Sequence, residues 1–246
     1  MRTVAVFLLA LCLVAASACG GNGDGAAKAR SAKRVIQAEA QGRAEAMVLE
    51  LSDLPDGWRA SPHEEDTAGG DRLRECLGVD YSALTIIGEA DSRDFAVEDS
   101  TEASSSATVF ADEAGADEAS SGLSDGMESD AAEDCFRDLI EKMANDEGPQ
   151  FKVVAVDIGE LGVTAPSSVE ETKAWQIAIS FDVTSGEAKG SSVTAYVDFV
   201  ALREGDSIAV LQMSDVQTPF DSELRNELVQ AVADRMSEGS VLSARS

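Results

Sequence analysis

The sequence predicts a single α+β domain in which a mostly antiparallel sheet of five or six strands packs against helices. Apolar and polar residues alternate in the segments 175–183 and 193–201, as they do in half-buried strands. Between residues 135 and 145 the apolar spacing changes to that of one helix face, formed by Phe136, Leu139, Ile140 and Met143. Strands that come in runs, with helices between and after them, indicate this fold class.

The first residues have the parts of an export signal. A basic Arg2 precedes an apolar run over residues 4–14 that is too short to cross a bilayer, and small residues lead up to Cys19. We predict that residues 1–18 are a lipoprotein signal peptide. The Cys19 thiol would then carry fatty acyl chains such as palmitate, which hold the protein at the outer face of a cell membrane. Cleavage at the same site in an ordinary secreted protein is the alternative.

Residues 19–31 are expected to be the lipidated cysteine and a flexible linker, and residues 32–246 the folded extracytoplasmic domain. The glycine-rich run 20–25 has no side chains with which to build a core. Four basic residues follow in an otherwise acidic chain: Lys28, Arg30, Lys33 and Arg34. Each can add about 1 kcal/mol of attraction to anionic lipid, or the four can form the solvated start of a helix.

Composition limits the classes of function. With 246 residues, 44% of them hydrophobic, the chain has enough apolar material for one good-sized core. Its formal net charge of −27 opposes binding to nucleic acid, because phosphate would be repelled. The charge is concentrated in residues 89–147, which contain nineteen acidic and three basic residues. This acidic face favours solubility, or the binding of a basic partner. Weak calcium binding is an alternative, although EF-hand spacing is absent.

Cys76 and Cys135 are the two cysteines of the body beyond Cys19. An exported protein folds where thiols oxidise, so we expect these two residues to form a disulfide with each other. Closing a loop of about sixty residues stabilises a fold by roughly 4 kcal/mol in the loop-entropy model. A redox-active pair is the alternative, but the Cys-x-x-Cys spacing typical of such pairs is absent.

The remaining elements follow from periodicity and from turn residues. A helix is expected over 32–51 and ends before Pro55 and Gly57. After a polar loop over 59–71, the next expected elements are a short helix over 81–87, a hairpin of 94–98 with 104–110, and helical structure over 111–145. A meander of strands follows from Phe151 to Val216, with a turn at 204–206. A C-terminal helix, with Pro219 just inside its start, is expected to pack on the sheet.

Several motifs follow one another along the chain. Cys19 and the linker precede the octapeptide LSDLPDGW at 51–58, then Cys76-Leu77-Gly78, then a helical Cys135. In this order the chain, over roughly residues 45–240, resembles surface lipoproteins of high-GC Gram-positive bacteria and the extracellular sensor-type domains of mycobacterial receptor kinases. The resemblance implies a non-catalytic domain with a ligand cleft. Those domains commonly carry two disulfides, whereas this body has cysteines for one.

No catalytic, cofactor or metal site is expected. Residues 122–126 satisfy the Gly-x-Ser-x-Gly pattern around Ser124, but a hydrolase elbow requires a strand, a turn and a helix. The single histidine, His63, precedes Ser124, whereas the hydrolase order places the histidine last. Hydrolase activity is therefore a marginal alternative. One histidine without cysteine or a second histidine does not make a transition-metal site.

Aromatic residues are scarce, so each one is informative. Trp175 and Phe181 share one strand face and are expected in the core, whereas Trp58 and Tyr81 are candidates for lining a ligand cleft. Two classes of function follow. One is a membrane-anchored binding or sensor domain for a small apolar or cell-wall-derived ligand. The other is an envelope protein-interaction module that uses the acidic face.

Overall fold

The computed structural model describes residues 23–63, 72, 76–78, 81–98, 100–146, 151–186 and 189–243. Its helices are α1 (Gly23–Met47), α2 (Glu113–Met127), α3 (Ala132–Asp146) and α4 (Ser222–Ser243). Its strands are β1 (Arg59–Ser61), β2 (Ile86–Asp91), β3 (Asp94–Val97), β4 (Thr101–Phe110), β5 (Phe151–Glu160), β6 (Glu171–Val183), β7 (Ser192–Glu204) and β8 (Ser207–Val216). The chain divides into two units, Met1–Val35 and Ile36–Ser246, and the sheet belongs to the second.

The predicted α+β class is confirmed, with an antiparallel sheet of eight strands rather than five or six. The order is β1-β3-β4-β8-β7-β6-β5, and β2 pairs with β4 on the same side as β3. The expected hairpin is β3 with β4, and the expected meander is β5 to β8. The extra strands are short: β1 has three residues, and β2 has six and begins at Ile86, inside the helix expected over 81–87. Only a single 3-10 turn, Tyr81–Ala83, remains of that helix.

A serine interrupts the edge of the sheet between β2 and β3. The N–H of Ser92 donates to the carbonyl of Ser105 at 2.8 Å, and the Ser92 hydroxyl accepts from the N–H of Ser105 at 2.8 Å. The Ser105 hydroxyl in turn accepts from the N–H of Leu49, just after α1, at 2.8 Å. These buried groups therefore satisfy one another where the chain passes from β2 to β3.

The sheet buries side chains on both faces. On the first face, helices α1 and α4 cover the sheet with residues that include Ala40, Ala44, Met47, Leu228, Val232 and Met236. On the second face, α2 and α3 contribute Met127, Phe136 and partly buried Ile140, which pack around Trp175, Ile177 and Ile179. The predicted packing of the C-terminal helix is thus confirmed, and so is the predicted helical stripe at Phe136 and Ile140. The side chain of Met143 lies outside the described set.

Helix boundaries follow from capping groups. Asp112 accepts from the N–H of Gly115 at 2.9 Å and starts α2, whereas Asp221 accepts from the N–H of Leu224 at 2.8 Å and starts α4. The sequence predicted that Pro219 lies just inside the start of the last helix. The structure shows that Pro219 precedes this helix, which begins at Ser222. α1 begins at Gly23, inside the segment expected to be flexible, because the alanine- and lysine-containing residues after it have high helix propensity.

Helix α1 also closes the edge of strand β2. The side-chain carboxamide of Gln41 donates to the carbonyl of Glu89 at 2.8 Å and accepts from its N–H at 3.3 Å, as a neighbouring strand would. A Cβ built at Gly88 would come within 2.6 Å of the Ala40 backbone, so only glycine permits this approach. This edge is therefore occupied by a helix and is not open to another strand.

A buried ion pair joins α4 to the centre of the sheet. The guanidinium of Arg225 lies 2.6 Å from the carboxylate of Asp198 on β7, and Gln176 on β6 donates to the same carboxylate at 2.8 Å. Asp198 is 0% exposed and Arg225 is 5% exposed. Among the described residues, none is a hydrogen-bond partner of the Arg225 Nε. Removal of one member would leave the other charged and out of contact with water.

We predict that Arg225→Met lowers the free energy of unfolding by about 3–5 kcal/mol, because the Asp198 carboxylate would stay buried without its counter-ion. The double variant Arg225→Met/Asp198→Leu should recover most of that loss, since apolar replacements of buried pairs are often neutral. Urea unfolding of the variants measures both effects. Arg137→Met is the matched control, because Arg137 pairs with the exposed Asp134. This substitution should lower the free energy of unfolding by less than about 1 kcal/mol. Equal losses in the single and double variants would contradict this account.

Candidate functional site

A groove of about 800 Å³ lies where strand β5 ends, between the α2–α3 connection and the start of β6. Four carboxylates line it, from Glu128, Asp130, Glu133 and Glu160, together with one ammonium group, from Lys173. Apolar side chains line the rest, among them Met127, Ile158 and Trp175. The groove therefore combines a strong excess of negative charge with an apolar wall, a combination that suits a ligand carrying both charge and hydrocarbon.

The turn between α2 and α3 places the carboxylates at the groove. α2 ends where Gly126 packs on the backbone of Leu77, since a Cβ at Gly126 would lie 2.3 Å from the Leu77 carbonyl oxygen. The Ser129 hydroxyl donates to the Gly126 carbonyl at 2.8 Å and closes the turn. α3 then starts at Ala132, with Glu133 in its first turn, where the helix dipole favours an acidic side chain. The single helical stretch expected over 111–145 is in fact two helices with this acidic turn between them.

Glu133 contacts the edge of the sheet. Its carboxylate accepts from the N–H of Ile158 on β5 at 3.3 Å. Trp175 stands on the neighbouring strand, 3% exposed, and packs in the same cluster as Met127 and Ile158. The prediction that Trp175 belongs to the core is confirmed, and Phe181 is partly buried in the same cluster. The sequence did not predict that Trp175 also forms a wall of the groove.

A second charged cluster holds the start of β6, next to the groove. Arg203 on β7 lies 2.6 Å from Glu170, 3.2 Å from Asp117 on α2 and 3.4 Å from Glu171. The Ser120 hydroxyl donates to Glu171 at 2.9 Å. Burial acts to lower the pKa of the Arg203 guanidinium, but its three carboxylate partners outweigh burial and raise the pKa. The arginine thus stays charged and ties α2 to the residues just before Thr172, which lines the groove.

Glu204 follows Arg203 and has a perturbed carboxyl group. Burial raises the pKa of Glu204 above its ordinary value, and the nearby Glu170 carboxylate raises it further. The folded protein therefore binds a proton at Glu204 more readily than an ordinary exposed glutamate does. It follows that ionisation of Glu204 opposes folding at neutral pH.

Trp58 and Tyr81 do not come together. Trp58 lies in the cluster on the first face of the sheet, where its ring centroid is 6.3 Å from that of Phe220. Tyr81 packs on the second face, 6.4 Å from Phe110. The two aromatic residues therefore share no cleft, and neither lines the groove. The turn before Trp58 is formed as expected, with Gly57 at a φ of 103°.

The other candidate residues have definite places. Cys76 and Cys135 form the predicted disulfide, which ties the chain before Leu77 to α3. Ser124 lies within α2, so residues 122–126 do not form the strand, turn and helix of a hydrolase elbow. His63 follows β1, where its Nδ1 lies 2.8 Å from the Asp94 carboxylate. Cys19 and the signal peptide lie outside the described residues.

Within the described ranges, no group of three or more His, Cys, Asp and Glu side chains is arranged to hold a metal ion. No helix in the same part of the chain has the length and apolar content needed to cross a membrane.

The chain has distant structural similarity to a protein of known structure. No protein-family model matches the chain, and no curated protein matches it in sequence. Among solved structures, the extracellular domain of PknH from Mycobacterium tuberculosis aligns with 10% sequence identity and a TM-score of 0.36. The alignment covers 81% of this chain and 97% of that chain. At this score the alignment does not assign a role to any residue of the groove.

The pKa of Glu204 leads to a prediction about stability and pH. Glu204→Gln should raise the midpoint of thermal unfolding near pH 7, because it removes a charge that burial and Glu170 disfavour. The difference should shrink near pH 4, where the raised pKa makes Glu204 largely neutral in the wild type. Scanning calorimetry at the two pH values measures the difference in unfolding midpoint between the variant and the wild type. Glu118→Gln, at an exposed position, is the control. A gain that persists undiminished at the lower pH would contradict the proposed cause.

Proposed function

We propose that this protein is a non-catalytic, lipid-anchored extracytoplasmic binding protein whose acidic groove captures a cationic ligand carried by a protein of the cell envelope. The observation that carries the proposal is the lining of the groove, in which four carboxylates face one ammonium group beside an apolar wall. A ligand with basic groups would gain attraction from the carboxylates and would bury hydrocarbon against Met127 and Ile158.

The charge of the groove is continuous with that of its surroundings. Glu128, Asp130 and Glu133 belong to the acidic segment 89–147, whereas Glu160 comes from the far end of β5. Since the whole chain carries −27, a cationic partner would be attracted before contact as well as after it. Salt screens exposed charges over about 10 Å at 0.1 M, so binding of this kind depends strongly on ionic strength.

The geometry favours a basic partner over a small apolar ligand. An enclosed apolar pocket reached by Trp58 or Tyr81 would support the apolar class, whereas neither residue lines the groove and the two lie on opposite faces of the sheet. The groove has a mixed lining in which charged groups are prominent. Of the two classes expected from the sequence, interaction with an envelope protein through acidic residues is therefore the better supported.

The anchoring part of the proposal rests on the leader and on the disulfide. Residues 1–18 and Cys19 have the arrangement of a lipoprotein signal. A structural disulfide between Cys76 and Cys135 suits an oxidising compartment outside the cytoplasm. An acylated Cys19 would place the groove where envelope proteins are available as partners.

Binding is tested by tryptophan fluorescence in the Trp58→Phe variant, which leaves Trp175 as the single tryptophan. Hexalysine should change the emission of Trp175 saturably, and the affinity should fall at least about tenfold between about 0.05 M and 0.5 M salt. Glu128→Gln/Glu160→Gln should weaken binding about tenfold, equal to about 1.4 kcal/mol.

The matched control is Glu118→Gln/Glu141→Gln, which makes the same change of charge on exposed residues outside the groove. If the control weakens binding as much as the groove variant does, the charge of the whole protein, and not the groove, attracts the peptide. That result would refute the proposed site.

Anchoring is tested by Cys19→Ala in the native host. The wild type should incorporate labelled palmitate and partition with membranes, whereas the variant should lose the label and leave the membrane fraction. Membrane association of the unlabelled variant at the wild-type level would show that another part of the chain makes the attachment.

A further inference from the structure

We infer that the groove takes its partner as an extended basic peptide, which adds a strand to the outer edge of β5. The inference rests on the proposed function, because it concerns the same groove, and it goes further by naming the form of the ligand. Strand addition would supply main-chain hydrogen bonds, and the carboxylates would select basic side chains.

Strand β5 offers an edge that a single side chain occupies. In the described part of the chain, β5 has ten residues and pairs with β6 alone. The N–H of Ile158 points away from β6 and donates to the Glu133 carboxylate at 3.3 Å, at the long end of hydrogen-bond distances. A carbonyl of an incoming strand could accept from this N–H at a shorter distance, and Glu133 would then be released to pair with a basic side chain.

Two glycines leave the main chain of the groove open. Among the described residues, no heavy atom lies within 4 Å of a Cβ built at Gly159 or at Gly162. Both residues line the groove, and neither has a positive φ that would require glycine. A glycine in a strand interior often marks a place where another backbone approaches closely. The absence of side chains here therefore gives a peptide access to the backbone beside Ile158.

A bulge limits the length of the docking edge. The register of β5 on β6 shifts between Val153 and Ala155, and Val154 in the shift is 54% exposed. A bulge disrupts the ladder and twists an edge away from further pairing. The regular part of the edge runs from Ala155 to Glu160, which accommodates a strand of about five residues.

The other lateral edge of the sheet and a second copy of this chain are both poor alternatives. At the opposite end, the Gln41 carboxamide already occupies the N–H and the carbonyl of Glu89. A second copy that paired through its own β5 would bring the acidic grooves of two chains together, each chain with a net charge of −27. Like-charge repulsion opposes that pairing, so the edge fits a basic segment of a different protein.

The test compares three probes in the full-length Trp58→Phe protein. They are the peptide Lys-Val-Lys-Val-Lys, the same peptide with alternate backbone nitrogens methylated in either of two registers, and spermine, a cation without a peptide backbone. In a strand, alternate residues direct their N–H groups to the same side. Methylation in one register should therefore weaken binding at least about tenfold, whereas methylation in the other should change it less than about twofold.

A variant of the protein supplies the second measurement. Gly159→Val places a β-branched residue in open space on a strand, so the fold should survive, as thermal unfolding and disulfide content would show. The variant should bind the peptide at least about tenfold more weakly and should bind spermine as the wild type does. Gln212→Val, at an exposed position of β8, is the matched control and should bind every probe normally.

The outcomes separate the inference from the proposed function. If spermine binds as tightly as the peptide, or methylation in both registers is harmless, the groove holds cations without strand addition and the inference is overturned while the proposed function stands. If no probe binds, both fail. Register-dependent loss together with selective loss in Gly159→Val supports strand addition at β5.

Discussion

The whole structure depends on a sheet whose central strands must be covered on both faces. β6 and β7 each have thirteen residues, and their alternate side chains enter two different apolar clusters. One helical layer cannot cover both faces, so α1 and α4 lie on the first face and α2 and α3 on the second. Asp198 and Arg225 fix where α4 lies on β7, because a shift of the helix would separate a buried pair of charges.

The groove is a consequence of the same arrangement. The turn between α2 and α3 must pass the end of β5, since both helices are confined to one face of the sheet. That turn is acidic, so its carboxylates gather beside the strand end, and Arg203 holds the start of β6 nearby. Negative charge is thereby concentrated beside the end of β5, where the basic partner proposed above would meet it.

The alternating pattern of 175–183 and 193–201 was sufficient to predict the meander and the shared face of Trp175 and Ile177. It also predicted strands buried on one face only, which was wrong, because helices cover both faces of the sheet. The packing of the last helix was predicted because its apolar residues recur at helical spacing and so lie on one face. Strand β1 was missed because it has three residues and pairs with β3, far along the chain. Strand β2 was missed because its first residues fall in the segment that was predicted to be a helix. The groove was missed because its members come from α3, β5 and β6, and only tertiary contacts bring Glu133 to Ile158. Trp58 and Tyr81 were both named as candidate cleft residues because both are aromatic. Residue type does not show on which face of a sheet a residue lies.

The contact of α1 with β2 has a practical consequence for anyone who shortens this chain. Gln41 imitates a strand, and Ala40 sits directly on Gly88, so the second half of α1 is part of the globular body. A fragment that starts after Met47 would uncover the N–H and the carbonyl of Glu89, which Gln41 satisfies in the full chain. Such fragments should form mixed oligomers on purification, whereas those that begin ahead of Ala40 should remain dispersed.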